Sequence, residues 1–215
     1  MIRAVLFDFD GIIADTEELH YQSYQVVLKE KGAEFSYDDY AARYMAFDSI
    51  GCFRQRAADL GMEVSDEDIR IWAEEKNSAY EKIIASQDVP PLPGAIEAVK
   101  LAASKGPVAV CTGAVLQDVE ALLEKYGLTP LLSAIVTADD VTISKPDPES
   151  YALACKRVDQ SPENCLAIED TPGGLQSAKN AGCQTLGITT THTQDQLRPF
   201  ADRVSASLVD WVYPS

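Results

Sequence analysis

The stretch Val5-Leu6-Phe7-Asp8-Phe9-Asp10-Gly11-Ile12-Ile13 constrains this chain most, because an apolar run of strand length is interrupted by two carboxylates and a glycine. Side chains two apart on an extended backbone share a face, so Asp8 and Asp10 point to one side while Phe9 turns into a core. The run predicts the first strand of a parallel sheet with a reactive carboxyl end. Gly11 supplies the backbone freedom for a sharp exit. An Asp-x-Asp-Gly segment also builds ordinary turns and calcium loops, so the rest of the chain has to discriminate.

Beyond Gly94 the pattern alternates between helix and strand. Helices are expected over 95–105, 116–126, 147–158 and 172–181, with strands over 107–111, 134–137, 165–168 and 184–188. That alternation signals βαβ units and a parallel sheet, hence an α/β core. The tail reads as short helices over 194–200 and 207–211, around a short strand near Val204. Residues 17–86 differ: apolar side chains such as Leu19, Tyr24, Val27 and Leu28 recur at helical spacing, Gly32 stops the first run, and no strand pattern occurs. We expect an inserted all-helical domain of about four helices over residues 16–90. The helix-breaking run Pro90-Pro91-Leu92-Pro93-Gly94 closes it, and residues 1–15 and 91–215 form the core domain.

The 215 residues, 46% of them hydrophobic, suffice for a buried core. A net charge of −16 opposes binding to nucleic acid or to an anionic membrane. An anionic substrate would have to be attracted locally, since charges beyond roughly 8 Å are largely screened at physiological salt. The five cysteines include no Cys-x-x-Cys pair and read as reduced, buried thiols, not a disulfide frame or zinc site. With no leader and no apolar run of membrane-spanning length, a cytoplasmic protein is expected, a monomer or small homo-oligomer.

Ligands of open α/β sheets sit outside the carboxyl ends of the strands, and four such ends here carry reactive groups. Asp8 and Asp10 follow the first. The others are Val110-Cys111-Thr112-Gly113, Ser144-Lys145-Pro146-Asp147-Pro148 and Ile168-Glu169-Asp170-Thr171-Pro172-Gly173-Gly174. Each has a local alternative: Thr112 as a helix N-cap, Lys145 as a solvated lysine, Asp170 as a cap for the helix begun by Pro172. Glu169 is harder to explain structurally, because a charge directly after an apolar strand is costly unless paired or solvated. Four acids converging on one site also repel one another, and a hard divalent cation with oxygen ligands, Mg²⁺ above all, removes that penalty.

These segments, together with Ala14-Asp15-Thr16, resemble the motifs of the haloacid dehalogenase superfamily in order and spacing, over nearly the whole chain. The helical-cap branch, which includes sugar phosphatases and β-phosphoglucomutase, is the most similar. The resemblance implies a Rossmann-like core with an inserted cap and a Mg²⁺-dependent phosphatase of a small phosphorylated metabolite. Asp8 would be the nucleophile that forms an aspartyl-phosphate, and Asp10 the acid and base. Thr112 and Lys145 would hold the phosphoryl oxygens, and Gly113, Thr16 and His20 would lie on the substrate side. For the metal it implies Asp8 and Asp170 as ligands, Asp10 through its backbone carbonyl, and Glu169 as a ligand or one step behind. His20 reads equally as a plain helix-face histidine, and Tyr44, Phe47, Phe53 and Trp72 as cap core.

A mutase of this branch carries basic residues in a cap segment similar to residues 44–51, where this chain has Met45 and Ser49. Arg43 and Arg54 flank that segment, so a phosphomutase and a catalytically silent binding module stay as alternatives to the hydrolase.

Overall fold

The computed structural model describes residues 1–45, 47–209 and 211–214. The chain divides into two compact units, Thr16–Val89 and Met1–Asp15 with Pro90–Ser215. The inserted unit contains α1 (Glu17–Lys31), α2 (Tyr37–Arg43), α3 (Ser49–Asp59) and α4 (Asp66–Ala85), with no strand among its described residues. Ser36, Asp48 and Ser65 precede the last three helices, and their side chains accept the N–H of Asp39, Gly51 and Asp68. Such caps satisfy donors that a helix start leaves unpaired. Gly32, at φ 64°, ends α1 in the left-handed region that favours glycine. The apolar stripes meet in a core of Tyr24, Leu28, Phe35, Tyr44, Phe53 and Trp72, with Phe47 packed against it. These aromatics are therefore core.

The other unit is built on a six-stranded parallel sheet. Its strands are β1 (Ala4–Phe7), β2 (Val108–Cys111), β3 (Ala134–Val136), β4 (Cys165–Glu169), β5 (Gln184–Ile188) and β6 (Arg203–Ser205), in the order β3-β2-β1-β4-β5-β6. Its helices are α5 (Ala95–Ala103), α6 (Leu116–Lys125), α7 (Glu149–Arg157), α8 (Pro172–Ala181) and α9 (Gln194–Leu197). Every residue of β1, β2 and β4 is buried, as in parallel sheets covered on both faces. Leu6, Ala109 and Ala167 share one face and pack with Tyr151 and Ala154 of α7 and Ala178 of α8. This is the Rossmann-like architecture.

The chain runs outward from β1 to β2 and β3, then returns to place β4 on the other side of β1. Such a reversal opens a crevice at the strand ends, where ligands of open sheets bind. Phe7 pairs with Val110 on one side and Ile168 on the other, so Asp8 follows in line with Cys111 and Glu169.

The tail departs from expectation. α9 stops at Leu197, Arg203–Ser205 forms β6, and the helix expected over 207–211 is absent among the described residues, Asp210 lying outside them. Leu208 is buried, the Trp211 ring lies 6.3 Å from that of Phe7, and the Tyr213 hydroxyl donates to the Ile2 carbonyl at 3.2 Å. A Cβ on Gly94 would overlap the Leu208 and Val209 backbone. Packing against the body of the unit thus prevails over a short helical period. All five cysteines are free and buried. No helix among the described residues is long and apolar enough to cross a membrane.

Candidate active site

The backbone positions of the site are set by the sheet. The Asp8 N–H bonds to the Ile168 carbonyl at 2.9 Å and the Thr112 N–H to Val136 at 2.9 Å, one step past the named strands. After Asp8 the chain turns tightly: Ile12, Ile13 and Ala14 all direct their N–H at the Phe9 carbonyl, and Gly11 takes φ 73°. Phe9 is fully buried, while Asp8 and Asp10 stand at the strand end.

Lys145 comes from the loop after β3 and is 6% exposed. Its Nζ donates to Glu169 Oε1 at 2.6 Å, Asp8 Oδ1 at 2.8 Å and the Cys111 carbonyl at 3.1 Å. It also lies 5.2 Å from the centre of the Tyr151 ring. The loop is tied down locally, for Glu149 accepts the N–H of Thr142 at 3.0 Å and of Ile143 at 2.8 Å, and Ser177 Oγ donates to the Asp147 carbonyl. Thr112 does not cap a helix, since α6 starts at Leu116. Its hydroxyl donates to Asp10 Oδ2 at 3.2 Å and accepts the Ala114 N–H at 3.0 Å. Nor does Asp170 cap α8, because Thr171 does so by accepting the Gly174 N–H.

Glu169 is fully buried and surrounded by donors. Oε1 takes Lys145 and the Tyr151 hydroxyl at 3.2 Å; Oε2 takes the N–H of Asp170 and Thr171 and the Thr171 hydroxyl. Its carboxylate lies where a Cβ on Gly174 would be, against the start of α8. Asp8, Glu169 and Asp170 each offer a carboxylate oxygen, all within 4.8 Å of one another. Burial, reinforced by Glu169 and only partly offset by Lys145, pushes the Asp8 carboxyl up to about 8. Burial also opposes the Lys145 charge, but Asp8 and Glu169 outweigh it and hold the ammonium well above the usual lysine value. The site is a lysine clamped between two acids, beside an all-oxygen cluster that suits a hard divalent cation.

Asp8, Asp10, Thr112, Lys145, Glu169 and Asp170 are thus gathered in the sheet-containing unit, with Gly113 next to Thr112. Thr16 and His20 belong to the helical unit. Thr16 is fully buried just before α1, and its carbonyl accepts the N–H of Leu19 and His20. His20 is 6% exposed, stacks on Tyr80 with ring centres 4.2 Å apart, and its Nδ1 lies 2.9 Å from Lys76 Nζ. An ammonium only donates, so Nδ1 is the acceptor.

Three residues escaped the sequence reading. Lys76 had a visible signal, a lysine spaced by four between Trp72 and Tyr80 on a buried stripe. Tyr151 and Thr191 had none, since a tyrosine on a core-facing helix and a threonine in a Thr-rich loop are ordinary. Thr191 Oγ1 nevertheless lies 2.6 Å from Asp170 Oδ2.

The parallel sheet gathers these acids at its switch point, where open α/β folds bind ligands, and comparison with known proteins identifies the family. Residues 5–200 match the family model of haloacid dehalogenase-like hydrolases, and the chain belongs to that family. It is similar to fructose-1-phosphate phosphatase YqaB of Escherichia coli (strain K12), at 33% identity over 86% of this chain and 95% of that protein. It is also similar to validoxylamine A 7'-phosphate phosphatase of Streptomyces hygroscopicus subsp. limoneus, at 29% identity over 92% and 90%. Among solved structures, CbbY from Rhodobacter sphaeroides in complex with xylulose 1,5-bisphosphate superposes with a TM-score of 0.86, at 26% identity over 98% of this chain and 96% of that one.

Proposed function

We propose that this hydrolase is a Mg²⁺-dependent phosphatase of a small phosphorylated sugar and works through an aspartyl-phosphate on Asp8. The observation that carries the reading is the pair of carboxylates at the end of β1, each held by its own partner, Lys145 on Asp8 and Thr112 on Asp10. The substrates in the names of the two phosphatases above and in the CbbY complex support a phosphorylated carbohydrate.

The donor set fits the ion. Asp8 and Asp170 would hold it, with the Asp10 carbonyl as a further oxygen. Glu169 belongs one step behind, because both its oxygens already accept protein donors. Bound there, Mg²⁺ would supply the positive charge that keeps Asp8 ionised and offsets the substrate's phosphoryl oxygens.

In the first displacement an Asp8 oxygen forms a bond to phosphorus while the bond to the leaving oxygen breaks, and Asp10 gives that oxygen its proton. In the second, Asp10 takes a proton from water, the water oxygen attacks phosphorus, and the Asp8 carboxylate departs. Lys145 spreads its charge between Asp8 and the phosphoryl group, and the Thr112 hydroxyl orients Asp10. Thr112, Gly113 and Lys145 are the candidate substrate contacts of the sheet-containing unit, and the resemblance adds Thr16 and His20 from the helical one.

Water is the proposed acceptor. Arg43 is paired with Asp59 at 2.5 Å and Asp39 at 3.4 Å, and Arg54 with Asp66 at 3.0 Å, all within the helical unit. Met45 is buried in its core, and Ala46 of the same segment lies outside the described residues. A mutase needs a second cationic phosphate site, and Met45 and Ser49, which stand where that branch carries basic residues, favour hydrolysis. Turnover of p-nitrophenyl phosphate, then a panel of sugar phosphates, tests the activity against a silent binding module. Incubation with β-glucose 1-phosphate and a trace of the 1,6-bisphosphate, followed by phosphorus NMR, tests the acceptor. Inorganic phosphate is expected; glucose 6-phosphate forming faster would make the enzyme a mutase.

A further inference from the structure

The loop after β5, Thr189-Thr190-Thr191-His192, lies outside every motif singled out in the sequence. β5 is the neighbour of β4, with Gly187 paired to Glu169, so this loop emerges beside Asp170. Thr191 Oγ1 lies 2.6 Å from Asp170 Oδ2 and 3.1 Å from the Asp170 carbonyl oxygen. A hydroxyl has one proton, and the nearer acceptor, the carboxyl oxygen, takes it. With its proton on Nδ1, His192 donates into the same group, 2.9 Å from Thr191 Oγ1 and 3.1 Å from the Asp170 carbonyl.

Gly11 lies against the same carboxylate oxygen. A Cβ there would overlap Asp170 Oδ2 and press on Thr191 Cγ2. The fully buried Asp170 side chain is therefore packed against a glycine that leaves it room and bonded to a hydroxyl that fixes its rotation.

We propose that Thr191 is a positioning residue of the metal centre, whose hydroxyl holds Asp170 Oδ2 and so sets the direction from which that carboxylate meets a divalent cation. The inference rests on the reading of Asp170 as a metal ligand. Without the hydroxyl the carboxylate turns more freely about its terminal bond, and ordering it again on binding weakens the metal. Removing partners of this kind lowers metal affinity roughly 10- to 100-fold.

The test is Mn²⁺ binding by the substrate-free protein, read from the electron paramagnetic resonance of the free ion, with Mg²⁺ as competitor. Thr191→Val keeps the shape and loses the hydroxyl, Thr191→Ala serves if valine impairs folding, and Thr191→Ser restores the donor. Thr190→Val removes the neighbouring exposed hydroxyl as control. We expect roughly 10- to 100-fold weaker binding in the valine or alanine variant, recovery in the serine variant, and no change in the control. At saturating metal, KM for p-nitrophenyl phosphate should stay near wild type. Wild-type affinity in Thr191→Val, or equal losses in the valine and serine variants, overturns the proposal. Asp170→Asn separates it from the underlying reading: if that variant binds Mn²⁺ as wild type, the metal centre itself is misassigned.

Discussion

Each reactive side chain of the site is held by a partner distant in sequence. Lys145 sits between Asp8 and Glu169, and neither acid can lose it without leaving a buried like-charge pair. Asp10 takes the Thr112 hydroxyl, and its charge still bears on Asp8. The two aspartates therefore stand in different environments, as the proposed nucleophile and acid–base group require. Asp8→Asn should abolish turnover, because an amide does not form the acyl phosphate; measurable residual phosphatase in a clean preparation would refute the covalent route. Asp10→Asn should retain metal binding and lower kcat by roughly 10²- to 10⁴-fold. The loss should be greatest for poor leaving groups, which a series of aryl phosphates would reveal.

Elements carry the site through their ends. The start of α8 offers Glu169 the N–H groups of Asp170 and Thr171, and the absence of a side chain at Gly174 lets the carboxylate lie against it. Gly174→Ala puts a methyl into that space. It should destabilise the fold by roughly 1–3 kcal/mol as an overpacked core does, and disturb Lys145 with it. Urea denaturation alongside kcat measures both. The loop carrying Lys145 is tied by Glu149, whose carboxyl is held below its ordinary value by the Ile143 N–H first, then by the Thr142 hydroxyl and N–H. A depressed carboxyl stabilises the fold above its unfolded pKa and loses that contribution as pH falls through the folded one. Urea midpoints taken from pH 7 down to pH 3 should therefore fall more in wild type than in Glu149→Gln. Parallel curves would show that the tie contributes nothing to stability.

For the molecule as a whole, the electrostatic problem is a chain of net charge −16 acting on an anion. Long-range attraction is absent, so under the proposed function recognition would come from a bound cation, Lys145 and the strand-end hydroxyls. A ligand that binds only the folded state stabilises it by about 2.7 kcal/mol at a concentration 100 times its Kd. Mg²⁺ should accordingly raise the melting temperature and activate the enzyme together, and EDTA should reverse both. A melting curve indifferent to Mg²⁺ and EDTA, with activity surviving chelation, would remove the metal from the site.

Much of this was legible in the residues. Periods of two and 3.6, with Gly32, Gly94 and Pro90 as punctuation, marked out an α/β core and a helical insert, because secondary structure answers to local pattern. Acids and Thr112 directly after apolar strands, with Lys145 in the loop that follows another, marked the reactive edge, since a charge directly after an apolar strand has to face a site or solvent. Three-dimensional packing settled the rest. The tail gave up a helix to lie against Gly94, and Lys76 went into the insert core beside His20. Glu169 became the seat for Lys145, and Thr191 reached Asp170 from a strand that carries no motif. Those contacts depend on sheet register and on the closeness of backbones at glycine, which link residues far apart in the chain and leave no periodic trace along it.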